Sequence, residues 1–224
     1  MIMQPDRTTR LDRWEARIER RLQLARGRIA RWRGVHAGER FGLGRGVRIL
    51  YPGYLQVGDD VTIEDYGYLH CLSLRGVKFG SYTSIDRNLW LSCGVVTGNE
   101  GYFEIGERSY IGPNAVMGAG GTIIIGSHVQ MGPNVTITAE NHVFSDPERR
   151  IDEQGVSHEG VHIEDECWIG GGVIVLDGVC IGQGSVVGAG ALVTKSIPPY
   201  SVAVGVPARV IRSRIATTTG VDTG

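Results

Sequence analysis

Wherever a hydroxyl or amine must be made nucleophilic, a side chain has to take its proton. Histidine, which changes charge near neutral pH, suits that work best. The sequence holds six: His36, His70, His128, His142, His158 and His162. His142 opens the stretch 139–158, A-E-N-H-V-F-S-D-P-E-R-R-I-D-E-Q-G-V-S-H. A long loop leaving an otherwise regular chain is more often functional than accidental. Glu140 and Asp146 are near enough in sequence to bond one nitrogen of its ring. On residue type alone, a solvated loop histidine is still the plainer account of His142. His158 and His162 flank the loop's return, and His158 is a second candidate to line a cleft. Cys71, Cys93, Cys167 and Cys180 form no CxxC pair and the histidines no ligating constellation, so no metal is expected.

The elements that must position these residues are set by a repeat. From Ile163, steps of six reach Ile169, Val175, Ile181, Val187 and Val193, all aliphatic. Upstream, the same rule holds in triplets: Val57, Ile63, Leu69; Phe79, Ile85, Leu91; Ile105, Ile111, Met117; Ile125, Met131, Ile137. Ten of these eighteen stops precede a glycine, and small or medium side chains such as Cys167, Val173, Val179, Ser185 and Ala191 follow four residues after a stop. Period six fits neither a helix nor a simple alternating strand. It fits a short strand and a sharp corner, three of which close a triangular coil. Stacked coils bury a continuous core. Six coils are expected, starting at 57, 79, 105, 125, 163 and 181; the wide step from 125 to 163 contains the loop 139–158.

The run I-G-x-G-x-V-V-G-A-G-A-L-V-T-K (181–195), with I-P-P-Y and G-V-P-A-R-V-I (197–211), resembles the end of a hexapeptide-repeat acetyltransferase. The pattern is similar to galactoside and maltose O-acetyltransferases and to capsule or lipopolysaccharide O-acetyltransferases, over roughly 55–212. The resemblance implies an all-β fold, a left-handed parallel β-helix, and acetyl transfer from acetyl-CoA to a sugar or polysaccharide hydroxyl. In the family a histidine a few residues beyond the same T-A pair is the catalytic base, and His142 matches it. The resemblance also assigns Ala189, Thr194 and Lys195 to CoA, with Gly171 on the same small-residue edge and Arg209 and Arg212 near its phosphates. Trp168 in C-W-I-G would line the acceptor or pantetheine cleft, and Glu140 and Asn141 the acceptor site. An asparagine that touches the acceptor in galactoside enzymes aligns with Gly112 here, and Asn114 stands two residues on. This departure weakens the galactoside assignment, not the CoA one.

Residues 11–33 read as an amphipathic helix, with Leu11, Trp14, Ile18, Leu22, Ala25, Ile29 and Trp32 at spacings of three or four. Packing on the prism end or on a neighbouring subunit is the expected role; a peripheral membrane contact is the alternative. The expected division is a basic helical arm over 1–35, a β-helix over 36–212 and a flexible tail over 213–224. Residues 1–35 carry ten Arg against four acids, while the remainder carries 13 basic and 20 acidic residues. An acidic body argues against a nucleic-acid partner. No 18-residue apolar run spans a membrane, and unpaired cysteines suit a reducing cytoplasmic setting. The family's sites lie between prisms, which implies a homotrimer. Transfer to an amino-sugar nitrogen, transfer of another acyl group, and a non-enzymatic scaffold are the competing functions.

Overall fold

The computed structural model describes residues 10–94 and 101–215. Its strands are two to five residues long and pair in parallel across coils, forming three faces of a triangular prism. Face A runs from His36–Ala37 through Leu55–Val57, Val77–Phe79, Tyr102–Ile105, Thr122–Ile125 and Val161–Ile163 to Cys180–Ile181. Face B starts at Gly42–Leu43 and ends with Trp168–Ile169, Val186–Val187, Ser201–Val204 and an antiparallel closing strand, Arg209–Ser213. Face C runs from Arg48–Leu50 to Leu192–Val193.

All eighteen periodic residues are buried, as are the small residues between them, including Cys167, Val173, Ser185 and Ala191. Each large apolar side chain removed from water contributes about 1.5–3 kcal/mol, repeated at every coil. The register survives the long loop: Ile125 pairs with Ile163, which pairs with Ile181. The loop therefore leaves and rejoins the prism without shifting a strand.

The described residues form seven full coils rather than six. The extra one, over 36–50, precedes the expected first coil and puts Leu43 and Ile49 in the core. Ala37 holds its first inward position, a residue too small to stand out in a search for large aliphatic stops. Past the last coil, Arg209–Ser213 is still strand, Arg214 N–H donates to Tyr200 O at 2.6 Å, and its side chain reaches Gly184 O. The tail thus does not begin at 213; residues 216–224 lie outside the described part.

Corners between faces A and B and between B and C are uniform, ending in left-handed residues such as His128 and Asn114. Corners between C and A vary in length, and the loop 139–158 leaves from one of them.

Helix α1 (Arg10–Trp32) covers the open edge of Gly42–Leu43 on the first coil. Arg26 donates to Leu43 O at 3.3 Å, Arg20 to Thr62 Oγ1 at 2.8 Å, and Gln23 Nε2 to Glu64 Oε2 at 2.9 Å. Gly27 lies against Phe41 O, where a Cβ would collide. The packed face is Gln23, Gly27 and Ala30, not the apolar stripe. Leu11, Trp14, Leu22, Ile29 and Trp32 are exposed, Trp32 at 89%. The helix packs on the prism end, as expected, but not through its apolar stripe: small residues, through their close approach, and polar groups, through their hydrogen bonds to the first two coils, dock it instead.

Candidate functional site

The loop is a short hairpin. Asn141–His142 pairs antiparallel with Val156–Ser157, and Val143 N–H donates to Gly155 O at 3.0 Å. Its tip is tied by Gln154, which accepts from Asp146 N–H and donates to Asp146 O and Arg149 O, and by a single 3-10 turn at Ile151–Glu153. Asp146 caps Glu148 N–H at 3.0 Å within this tip. It serves the loop's own turn, so it is not the partner of His142. The His142 side chain is exposed and, among the described residues, makes no hydrogen bond within its own chain.

The hairpin's base is anchored by Asp177, a residue the sequence did not single out. Its carboxylate accepts from Glu159 N–H at 3.0 Å and Gly160 N–H at 2.7 Å, while Asn141 Nδ2 donates to it at 3.4 Å. Asn141 is thereby drawn into holding the hairpin. Beside it, the Glu140 carboxylate lies over Gly120, and His158 Cβ over Gly121. A side chain at either glycine would displace them, so the pair G-G at 120–121 was the missed sequence signal.

The expected site residues fall into two columns parallel to the prism axis. Glu140, Asn141, His142, Thr194 and Lys195 follow strands of face C and lie at the C–A corner. Gly171 and Ala189 lie at the B–C corner, where coils stack so closely that a Cβ on Gly170 would meet Ala189 N at 2.5 Å. Next to that corner, the register on face B aligns Gln130, Trp168, Val186, Val202 and Arg212 in one row. Trp168 is 59% exposed, and Arg212 stands three strands away, about 14 Å at 4.8 Å per strand. Arg209, also exposed, pairs with Val204 on the same closing strand.

Asn114 does not join the hairpin of its own chain; it is exposed at the B–C corner, the corner that also carries Gly171 and Ala189. It accepts from Asn88 Nδ2 at 2.9 Å and donates to Asn134 Oδ1 at 3.1 Å, in an amide ladder along the B–C corner. The structure thus places it one face away from His142 within the chain. Gly112 is packed so that a Cβ would meet the Gly132 carbonyl at 2.6 Å.

Electrostatics remove the thiols from the chemistry. Burial pushes Cys93 up to about 12 and Cys167 up to about 11, and raises Cys71 and Cys180 as well. A protonated buried thiol is a poor nucleophile. Among the described residues, no cluster of three or more His, Cys, Asp or Glu is placed to hold a metal ion. A groove of about 680 Å³ opens on face A between Gln56, Lys78 and Glu104, but none of the expected site residues line it.

Residues 160–195 match the model of the bacterial transferase hexapeptide, six repeats. The matched segment carries the hexapeptide repeat of bacterial transferases, and the chain is similar to transferases built on it. The likeness to solved hexapeptide-repeat structures makes the triangular coil a left-handed parallel β-helix. The galactoside O-acetyltransferase of Escherichia coli K12 is 36% identical over 143 residues, covering 58% of this chain and 64% of that one. A hexapeptide-repeat acetyltransferase from Vibrio cholerae superposes with a TM-score of 0.51 at 25% identity, over 91% of this chain and 88% of the other. An N-acyltransferase from Bacillus cereus, solved with dTDP and 3-hydroxybutyryl-CoA, shares the fold with a TM-score of 0.58 at 21% identity, over 84% and 88%. The chain spans between a quarter and just under two thirds of the curated relatives it matches, from 25% to 64%. The matched segment, 160–195, carries Trp168, Gly171, Ala189, Thr194 and Lys195, while the hairpin with His142 lies just before it.

Proposed function

We propose that the protein is an acetyl-CoA-dependent O-acetyltransferase acting on a sugar or polysaccharide hydroxyl, with His142 as general base. The observation that carries this is the exposed His142 on a hairpin pinned to the C–A corner by Asp177. His142 takes the proton as the acceptor oxygen attacks the thioester carbon. The C–S bond then breaks, and the imidazolium returns the proton to the departing thiolate. The raised thiols support direct transfer without an acyl-cysteine. On face B, an apolar track of Trp168, Val186 and Val202 ends at Arg212, which suits a thin pantetheine arm leading to phosphates. Gly171 and Ala189 keep the adjoining corner low, and Arg209 adds a second cation.

The two columns lie on different corners of one prism, so a single chain does not join base and CoA track. A cyclic homotrimer, in which the C–A corner of one prism meets the B–C corner of the next, closes three equivalent sites. Thr194 and Lys195 then face CoA from the histidine side. Buried free cysteines suit a reducing cytoplasmic compartment.

Calorimetric titration with acetyl-CoA, followed by turnover on matched hydroxyl and amino sugars, tests this reading. Binding plus turnover on hydroxyl acceptors is expected. Turnover confined to amines would replace it with N-acetylation, the reaction class named for the Bacillus cereus structure, and absence of acetyl-CoA binding would overturn it. Preference for a longer acyl-CoA would revise the donor alone.

A further inference from the structure

Helix α1 presents its two faces to different surroundings. At 100° per residue, Gln23, Gly27 and Ala30 gather on one side and pack on the first coil, while Trp14, Leu22, Ala25, Ile29 and Trp32 gather roughly 180° away. Burying an apolar stripe is the usual reason for an amphipathic helix to dock. Here the stripe is left outward, although the helix is firmly held by Arg20, Gln23 and Arg26. Between the packed face and the stripe, the sequence places Arg10, Arg17, Arg21, Arg28 and Arg31 along one flank. The helix as a whole carries eight Arg against Asp12, Glu15 and Glu19. Past its end, the Gly34 Cα lies beside the corner Tyr51–Tyr54, since a Cβ on Gly34 would stand 3.7 Å from Gly53 N. Tyr51 and Tyr54, both part-exposed, flank that corner.

We infer that this outward face of α1 docks on an anionic lipid bilayer, lying in the headgroup layer with its apolar stripe inserted and its Arg flank on lipid phosphates. Charge complementarity selects this occupant. A second copy of the chain would bring Arg flank against Arg flank in a symmetric pairing, and its acidic remainder, 13 basic against 20 acidic residues beyond position 35, is repelled by the same bilayer. Repulsion of the body and attraction of the cap orient the prism axis away from the surface. Trp at both ends of the stripe supplies rings with apolar bodies and polar edges, suited to the interface. The inference rests on the cap alone and stands whether or not acyl transfer is the reaction.

The full chain is incubated with vesicles of phosphatidylcholine, alone or with about 30 mol% phosphatidylglycerol, and co-sedimentation is measured. Binding at least about 10-fold stronger to the anionic vesicles is expected, falling as salt rises. Trp14→Ser, Ile29→Ser and Trp32→Ser combined should remove it about 10-fold or more, with melting temperature and acetyl-CoA binding unchanged, because all three side chains are exposed. Arg17→Glu, Arg21→Glu and Arg28→Glu combined should do the same. Equal binding to both vesicle types would overturn the inference. So would a stripe variant that keeps vesicle binding, or one that changes only the oligomeric state, which would assign the face to a second copy.

Discussion

Asn141 donates its side-chain amide to Asp177 at 3.4 Å, and the same carboxylate accepts both backbone N–H groups where the hairpin re-enters the prism, at Glu159 and Gly160. One side chain of the next coil therefore fixes the outgoing and returning strands that flank His142. Asp177→Ala should free the hairpin base. Hydrogen exchange over 139–160 is expected to speed up, and turnover to fall roughly 10-fold, as for a displaced catalytic group. Acetyl-CoA affinity should fall less than turnover, since Gly171, Ala189 and Arg212 are elsewhere and only Thr194 and Lys195 share this corner. Asp177→Asn retains acceptor oxygen and should lose less. Unchanged exchange in Asp177→Ala would show that the tip bonds of Gln154 suffice.

The division into two columns makes a sharper demand. His142→Ala disables the C–A column, and Ala189→Trp would block the B–C column. Each homotrimer should be inactive. Refolding the two variants together in equal amounts should restore about a quarter of wild-type sites, because half the C–A corners are intact and half of those meet an intact neighbour. No recovery in mixed trimers would place both halves of the site on one chain. A single-chain mass in light scattering, with full activity, would dismiss the trimer itself.

Much of the prism was legible because its core repeats: each inward residue, from Val57 to Val193, is a separate instance of one rule. The first coil escaped because Ala37 is small and half-buried, so the end of the prism carries a weaker copy of the signal. Periodicity in α1 correctly reported an apolar face, but it cannot say which surface that face meets; close approach at Gly27 decided the docking. Asp177 was not legible, because its role depends on a hairpin whose paired strands are two residues each. The triplets did carry the phase that puts His142 and Ala189 on different corners: His142 follows the third stop of its coil, Ile137, and Ala189 the second, Val187. The resemblance aligned the acceptor asparagine with Gly112, two residues before Asn114, and could not show that the Asn114 amide joins a ladder with Asn88 and Asn134 along the B–C corner.

The thiols give a test of the direct-transfer mechanism. Burial raises all four, most strongly at Cys71 and Cys93, whose side chains are fully enclosed. At pH 8 a thiolate-specific reagent should leave Cys71, Cys93 and Cys167 unmodified in the folded protein, with slow labelling confined to half-buried Cys180. All four should react after denaturation. Cys167→Ala and Cys180→Ala should each keep turnover within a few-fold. A rapidly labelled Cys167, or an inactive Cys167→Ala that still folds, would reopen an acyl-enzyme route.

The general base makes the last demand. His142→Ala should lower turnover roughly 10²–10⁴-fold, the span expected when a positioned base is removed. Acetyl-CoA affinity should stay within a few-fold, because the imidazole stands on the other column. His142→Asn should match the alanine variant, since an amide fills the space without basicity. His158→Ala controls for hairpin damage: it sits over Gly121 on the same loop and should be milder. Near-wild-type turnover in His142→Ala, on an acceptor whose acetylated product is identified and with chemistry limiting the rate, would remove His142 from the mechanism and shift attention to Glu140 and His158.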